Sequence, residues 1–536
     1  MANEIAAEGP AQSAGSGLTR GIMGPTLASW LILLASFVNF LRYNNYPLLR
    51  AEVALIVLGM LVLAAAVGFV HRRERRIGKA LLDAVLVYFV VDQNGGFAIS
   101  AGAAAIVGLY AFWRGRSLLP LLGVMAAVML VTGLLGIGQQ HRVEGETIQS
   151  VPRLQPGRAR PPALLHVILD EHLGIEGFGS VDPQARKVKD ELKAFYATRG
   201  FRLYGRAYSQ QLHTVNAIPQ ILNFGMVQAA ANDPFEGRTV NRNAYFDALA
   251  GEGYRLKVYQ SDFLNYCEHK AVVRCVRYDS TSLDAVADAR LSTGNRVAIL
   301  LTRFTLLSNF ADGISRLYIQ IFDNLRAKGY DPTDLGLSVK GKTSALNAVD
   351  AFDGMIADLR KAQPGEAYFA HMLLPHYPYA VDEACRPLPY MEWQARRGRT
   401  SMAQRQKGYA DQIRCAMRKM DAAYNALSAS PAGQNFIVVV HGDHGSRITE
   451  VDPNHPNIGK YGRSDLIAGF TTLFAVRAPE ITVGYETMPV PVPVLLKDLT
   501  QSGFTTAPQP VSEKQEVILD DLGWQPRSRA PFLDNW

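Results

Sequence analysis

Cysteine is scarce in this chain of 536 residues: there are four, Cys267, Cys275, Cys385 and Cys415, and none has the paired C-x-x-C spacing of a zinc site. Excess charge of either sign is small as well. Lys and Arg number 55 against 48 Asp and Glu, a formal +7, of which residues 1–150 carry +3 and the remainder +4. No block of Lys and Arg with interleaved aromatics stands out beyond residue 150, so the basic balance speaks for membrane topology and against a nucleic-acid partner. The first twenty residues lack the charged start, apolar core and cleavage site of a removable signal, and residues 1–23 read as a disordered cytoplasmic tail. The apolar segments that follow show no internal repeat or paired broken helices, which speaks against a transporter.

What is present divides in two. Residues 24–138 are dominated by apolar runs: Gly24 to Phe40, Ala51 to Val70, Ala80 to Val91, Phe97 to Trp113 and Leu118 to Ile137. A helix needs roughly 20 apolar residues to cross hydrocarbon, and about five spans are expected. The third is short and carries Asp83, so fusion with the fourth, giving four spans, is the alternative. The clusters His71-Arg-Arg-Glu-Arg-Arg76 and Arg114-Gly-Arg116 both belong on the cytoplasmic side, with the uncharged turn Gln93-Asn-Gly-Gly96 between them on the other side. The last span then delivers the rest of the chain to the non-cytoplasmic face. After a linker at 139–160, residues 161–536 alternate short apolar runs with charged and turn-forming stretches, as an α/β domain does. An apolar-rich amphipathic insertion at 296–345 either lies on the bilayer or packs within the domain. The four cysteines allow two bridges, Cys267 with Cys275 being favoured by the short loop, while buried free thiols are the alternative.

Four elements of the second part carry chemistry. Ala163-Leu-Leu-His-Val-Ile-Leu-Asp-Glu-His172 reads as a buried parallel strand ending in the carboxylates Asp170 and Glu171, at the strand end where open α/β sheets bind ligands. Asn435-Phe-Ile-Val-Val-Val-His-Gly-Asp-His-Gly445 delivers His441, Asp443 and His444 into a glycine-flanked turn, with donors suited to zinc or manganese. Between them, Tyr208 to Asn223 reads as a loop followed by a helix beginning near Ile218-Pro219, which places Thr214 just ahead of a helix N-terminus that favours anions. Tyr368-Phe-Ala-His-Met-Leu-Leu-Pro-His-Tyr-Pro-Tyr379 is a strand running into His376, bounded by prolines; His371, inside the strand, reads as a packing residue. Taken singly, each has a bland reading as a polar turn, a capping residue or a core histidine.

Their order along the chain resembles the sulfatase-like branch of the alkaline phosphatase superfamily, especially the membrane-anchored phosphoethanolamine transferases and lipoteichoic acid synthases, with five membrane helices before a catalytic domain. The resemblance implies an alkaline-phosphatase-like α/β/α sandwich with a mostly parallel central sheet. It implies Thr214 as nucleophile and metal ligand, Glu171, Asp443 and His444 as further ligands with Asp170 as an additional candidate, and His376 as the histidine on the substrate phosphate. His455, Lys460 and Asn216 are further candidates for substrate contact. The expected activity is metal-dependent transfer of a phosphoglycerol or phosphoethanolamine head group from a membrane phospholipid to an envelope glycan or lipid, through a covalent intermediate on Thr214. The expected location is a bacterial-type inner membrane, with the catalytic domain periplasmic or extracellular. Hydrolysis with water as acceptor, and a non-catalytic lipid sensor, are the alternatives. Two departures bear on substrate: no cysteine flanks Pro219, unlike the phosphoethanolamine transferases, and no C-x-P-x-R string supplies a sulfatase nucleophile, Cys385-Arg-Pro-Leu-Pro389 lacking the arginine.

Overall fold

The computed structural model describes residues 14–74, 76–135, 146–148, 160–179, 183–225, 240, 242–304, 343–393, 401–449, 462–509, 516–520 and 526–532. The chain forms two compact units, one of residues 1–142 with 293–326, the other of 143–292 with 327–536.

The first unit is helical: α1 (Ala14–Tyr43), α2 (Ala51–Arg73), α3 (Arg76–Arg114) and α4 (Leu119–Leu135). Helix α1 begins at Ala14, inside the stretch read as a tail. Among the described residues two helices are long and apolar enough to cross a membrane, Met23–Tyr43 and Ala51–Arg73, with Ile99–Arg114 and Leu119–Leu135 as shorter apolar helices, so five separate spans are not found there. Ala80 to Val91 falls short for a simple reason: twelve residues rise about 18 Å, against a hydrocarbon core of about 30 Å.

The α3 backbone stays helical through 93–96, where a turn was expected, yet the helix doubles back. Drawn straight, 39 residues would extend about 58 Å. Instead the Arg76 guanidinium donates to the carbonyls of Phe112 and Trp113, and a Cβ on Gly108 would lie 3.1 Å from the Ala84 Cβ. The basic clusters on either side of the hairpin therefore share one end of the bundle. Asp83, the acid among the apolar residues, is fully buried and accepts from Leu118 N (2.7 Å) and Ser117 Oγ (2.9 Å), capping the start of α4. Gly123 lets α4 approach α1, since a Cβ there would sit 3.0 Å from the Ala28 Cα.

Part of the 296–345 insertion belongs to this unit. Helix α9 (Thr293–Phe304) sets the Phe304 ring 5.0 Å from Phe37 and 5.4 Å from Phe40 on α1, and Arg296 Nε lies 3.9 Å from Glu52 Oε1 on α2. Glu52, buried, also accepts from the Tyr46 hydroxyl (2.6 Å). Residues 305–342 of the insertion lie outside the described residues.

The second unit is built on a nine-stranded mixed sheet. Its parallel centre runs β6 (Val272–Tyr278), β5 (Arg255–Ser261), β7 (Glu366–Met372), β2 (Ala163–Leu169), β8 (Phe436–His441). Beyond β8 come β9 (Phe474–Arg477), antiparallel to it, then β3 (Arg202–Tyr204) and β10 (Gly484–Glu486). At the other edge β1 (Glu146–Ile148), from the stretch expected to be a linker, pairs antiparallel with β6. Strands β2, β7 and β8 are buried along their whole length, as apolar runs covered on both faces must be.

Alternation along the strands sorts the two faces. Leu164, Ile168, Leu256, Val258, Phe369 and Val439 face a core shared with α6 (Thr214–Leu222), α7 (Ala244–Gly251) and α13 (Val492–Gln501). Residues of opposite parity meet α10 (Ser344–Leu359): Tyr259 and Tyr368 both bond Asp358 on that helix. Helix α11 (Met402–Ser428) lies beside α10 and α5 (Pro183–Thr198), tied to α5 by Arg414–Glu191 (2.7 Å). The unit is an α/β domain with a mostly parallel mixed sheet. Both cysteine pairs are bridged, Cys267 to Cys275 and Cys385 to Cys415, the second joining the loop after His376 to α11.

Candidate active site

Register brings the chemistry-bearing residues to one sheet end. Ile168 in β2 stands beside His371 in β7 on one side and His441 in β8 on the other, so all three strands run out together. Just past β2 come Asp170 and Glu171, both buried. Glu171 takes a left-handed backbone (φ +63°), with its N–H donating to Asp443 Oδ1 (3.1 Å) and its carbonyl accepting from the Tyr409 hydroxyl (2.7 Å). That conformation is uncommon outside glycine, and these bonds to two other elements hold it. The Asp443-His444 turn needs its glycines: a Cβ on Gly442 would meet Thr472 Oγ1 and the His172 carbonyl, and one on Gly445 would meet backbone of residues 468–471.

Helix α6 begins at Thr214, with His213 as its N-cap, four residues earlier than Ile218-Pro219; Pro219 lies inside the helix. A proline there lacks the N–H for an α-helical bond, a cost of about 3 kcal/mol, which burial of Ile218, Ile221 and Leu222 offsets. The consequence is that Thr214 is the first helical residue. Its Oγ1 lies 3.3 Å from Asp170 Oδ2 and 3.4 Å from His444 Nε2.

Around Thr214 the described residues form two overlapping groups able to hold an ion, Asp170 with Asp443 and His444, and Asp170 with Glu171 and His376, ligand atoms within each lying within 4.8 Å of one another. His444 Nε2 is 3.3 Å from Asp443 Oδ2 and His376 Nε2 is 3.7 Å from Glu171 Oε1. Asp170 Oδ1 and Asp443 Oδ2 are buried and have no hydrogen-bond partner among the described residues. Burial first, and the Asp443 charge next, push the Asp170 carboxyl well above the usual carboxylate range. Buried acids with open oxygens and an imidazole among them form the donor set a divalent cation fits. His444 Nδ1 contacts the Gly445 carbonyl at 2.8 Å, which keeps its Nε2 turned inward.

His376 is held by its backbone. Gln412 on α11 donates to the carbonyls of Pro375 and His376 (3.0 Å each) and accepts from Ala380 N (3.0 Å). Asn216 is half-buried on the first turn of α6. His455 and Lys460 lie outside the described residues. Two residues of the site were not expected there. Arg447, buried, approaches Glu171 Oε1 (3.4 Å) and His444 Nε2 (3.5 Å) and donates to the Leu212 carbonyl. His371, read as packing, places Nε2 3.0 Å from Asp170 Oδ2.

The chain matches no protein-family model and no curated protein sequence. Among solved structures it is similar to the C-terminal periplasmic domain of EcEptC from Escherichia coli in complex with Zn (11% identity, TM-score 0.39, covering 72% of this chain and 97% of that one). It is also similar to a protein in the alkaline phosphatase superfamily from Vibrio parahaemolyticus (12%, TM-score 0.38, 67% and 73%). A putative sulfatase from Bacteroides thetaiotaomicron is a third (15%, TM-score 0.37, 67% and 79%). Similarity of this size assigns no chemistry to this chain.

Proposed function

We propose that this protein is a membrane-anchored, metal-dependent phosphotransferase of the sulfatase-like, alkaline-phosphatase-superfamily kind. In this reading Thr214 takes a phosphoryl head group from a phospholipid and passes it to an envelope glycan or lipid. The observation that carries it is a hydroxyl at a helix N-terminus, 3.3 Å from Asp170 and 3.4 Å from His444, beside buried acids whose Asp170 Oδ1 and Asp443 Oδ2 have no hydrogen-bond partner among the described residues. Asp170, Glu171, Asp443 and His444, with Thr214, would hold a zinc or manganese ion. Such an ion, when bound, supplies charge that eases loss of the hydroxyl proton and offsets charge gathering on phosphate oxygens.

The residues account for the rest. Thr214 Oγ forms a bond to phosphorus while the ester bond to diacylglycerol breaks, and its proton passes to Asp170 Oδ2, the carboxylate oxygen it already faces. The α6 N-terminus directs backbone N–H groups at the phosphate. His376, fixed by Gln412, gives a proton to the departing diacylglycerol oxygen and takes one from the acceptor hydroxyl in the second displacement. That hydroxyl then attacks phosphorus and Thr214 leaves, recovering its proton. Both cysteine bridges and the basic clusters gathered at one end of the helical unit support a catalytic domain on the non-cytoplasmic side.

The test is turnover of phosphoglycerol- and phosphoethanolamine-bearing lipids by the full-length protein with zinc or manganese, with and without added glycan or lipid acceptor, against a Thr214→Ala control. Diacylglycerol release that needs Thr214 and rises with acceptor supports transfer. Release indifferent to acceptor makes the enzyme a phosphodiesterase, and no release under either ion removes the catalytic reading.

A further inference from the structure

We propose that His371 is a positioning residue of this centre: it donates from Nε2 to Asp170 Oδ2 and so keeps the other oxygen of that carboxylate turned towards the bound ion. The inference rests on the metal-centre reading above and specifies one part of it.

Topology puts the two groups together. His371 stands opposite Ile168 in the β7–β2 pairing, and Asp170 follows Ile168 by two residues, so both project to the face covered by α6, where Thr214 sits. The main chain repeats the tie, Asp170 N donating to the Met372 carbonyl (3.0 Å). Once the Asp170 carboxyl is ionised, as holding a cation requires, its oxygens only accept, and the imidazole nitrogen 3.0 Å away is then the one that carries the proton, whatever the charge of the ring. The other nitrogen, Nδ1, lies 3.4 Å from the Ser261 hydroxyl at the end of β5. Ser261, His371 and Asp170 thus form a chain crossing from β5 through β7 to the end of β2.

The carboxyl torsion of an aspartate is broad and two-fold, so nothing intrinsic decides which oxygen faces the ion. Here two groups settle on Oδ2, His371 Nε2 and Thr214 Oγ1, while the buried Oδ1 accepts from none of the described residues. When Thr214 gives up its proton its bond to Oδ2 changes, and His371 is the donor that stays. Outer partners of this kind affect metal affinity by about 10–100-fold.

The experiment compares His371→Leu, His371→Gln and His371→Asn in the full-length protein. Zinc and manganese binding are measured by titration calorimetry after chelation, and melting temperature is measured without metal. Glutamine carries an N–H the same number of bonds from Cα as imidazole Nε2, and asparagine falls one bond short. The expected result is affinity about 10–100-fold weaker for leucine and asparagine and within a few-fold of wild type for glutamine, with no matching order in the metal-free melting temperatures. If the leucine protein does not fold, the glutamine–asparagine contrast decides. Leucine and asparagine variants that bind like wild type, or glutamine as weak as asparagine, overturn the inference alone. Wild type that binds neither ion overturns the metal-centre reading together with it.

Discussion

Replacing Gly445 by alanine should damage stability and the site together. A Cβ there would come within 2.8 Å of Gly469 C and Thr471 O, and nearer still to the Ala468 carbonyl, where ordinary contact begins at 3.4 Å. All three are backbone atoms at the end of α12 (Arg463–Phe470) or just past it, so no side chain can rotate away. The Gly445 N–H also donates to the Gly469 carbonyl (2.9 Å), pinning the two turns face to face. To bring the Ala468 carbonyl out to ordinary contact they must separate by more than about 1 Å, a misfit that costs at least about 1–3 kcal/mol in a packed interior. Because His444 precedes Gly445 directly, the displacement reaches a candidate ligand, and a shift approaching 1 Å costs about 100-fold in rate. Urea unfolding gives the first quantity and lipid turnover at saturating metal the second. A Gly445→Ala protein within about 0.5 kcal/mol of wild type and fully active would mean that the two turns are not held in contact at this glycine.

Gly354, in the exposed interior of α10 with nothing within 4 Å of its Cβ position, is the matched opposite: Gly354→Ala should raise stability by about 0.5–1 kcal/mol in the same urea assay. Cys385→Ser should lower it by about 3–4 kcal/mol, the chain-entropy value for a bridge spanning 30 residues, and added reductant should bring wild type down to the variant's level. Glu176 is a pH probe. Burial alone would raise its carboxyl, but Lys189, Tyr485 and Lys193 outweigh it and hold the pKa at about 2. A depressed folded-state value means the stabilisation is present above the ordinary value of 4.5 and fades as pH falls towards 2. The urea midpoints of wild type and Glu176→Gln should therefore differ most at pH 6–7 and converge near pH 2; a gap unchanged from pH 6 to pH 3 would contradict the ion-pair account.

The strands that frame the site were legible because each is an apolar run ending in polar residues: Ala163–Leu169 before Asp170, Phe436–His441 before Asp443, and Glu366–Met372 before His376. Position along a strand could not reveal the lateral register that sets His371 beside Ile168, which is why a histidine within bonding distance of Asp170 passed for packing. The start of α6 was misplaced because proline is common at a helix's first position, whereas here core contacts outweigh its missing N–H further in. Glycines at 95 and 96 suggested a break between two spans; the backbone keeps its helical form there, and only the contacts of Arg76 and Gly108 show that the helix turns back. Arg447 reaches Glu171 through a turn that no periodicity describes.

The most direct test of Thr214 as nucleophile is intact-protein mass after the full-length chain has met mixed phospholipids and zinc or manganese without acceptor, with Thr214→Ala alongside. A nucleophilic Thr214 gives an added phosphoglycerol or phosphoethanolamine on wild type, none on the alanine protein, and loss of the adduct when acceptor is supplied. An adduct of equal abundance on both proteins, or lipid turnover with no adduct trapped on wild type at any time, would contradict it.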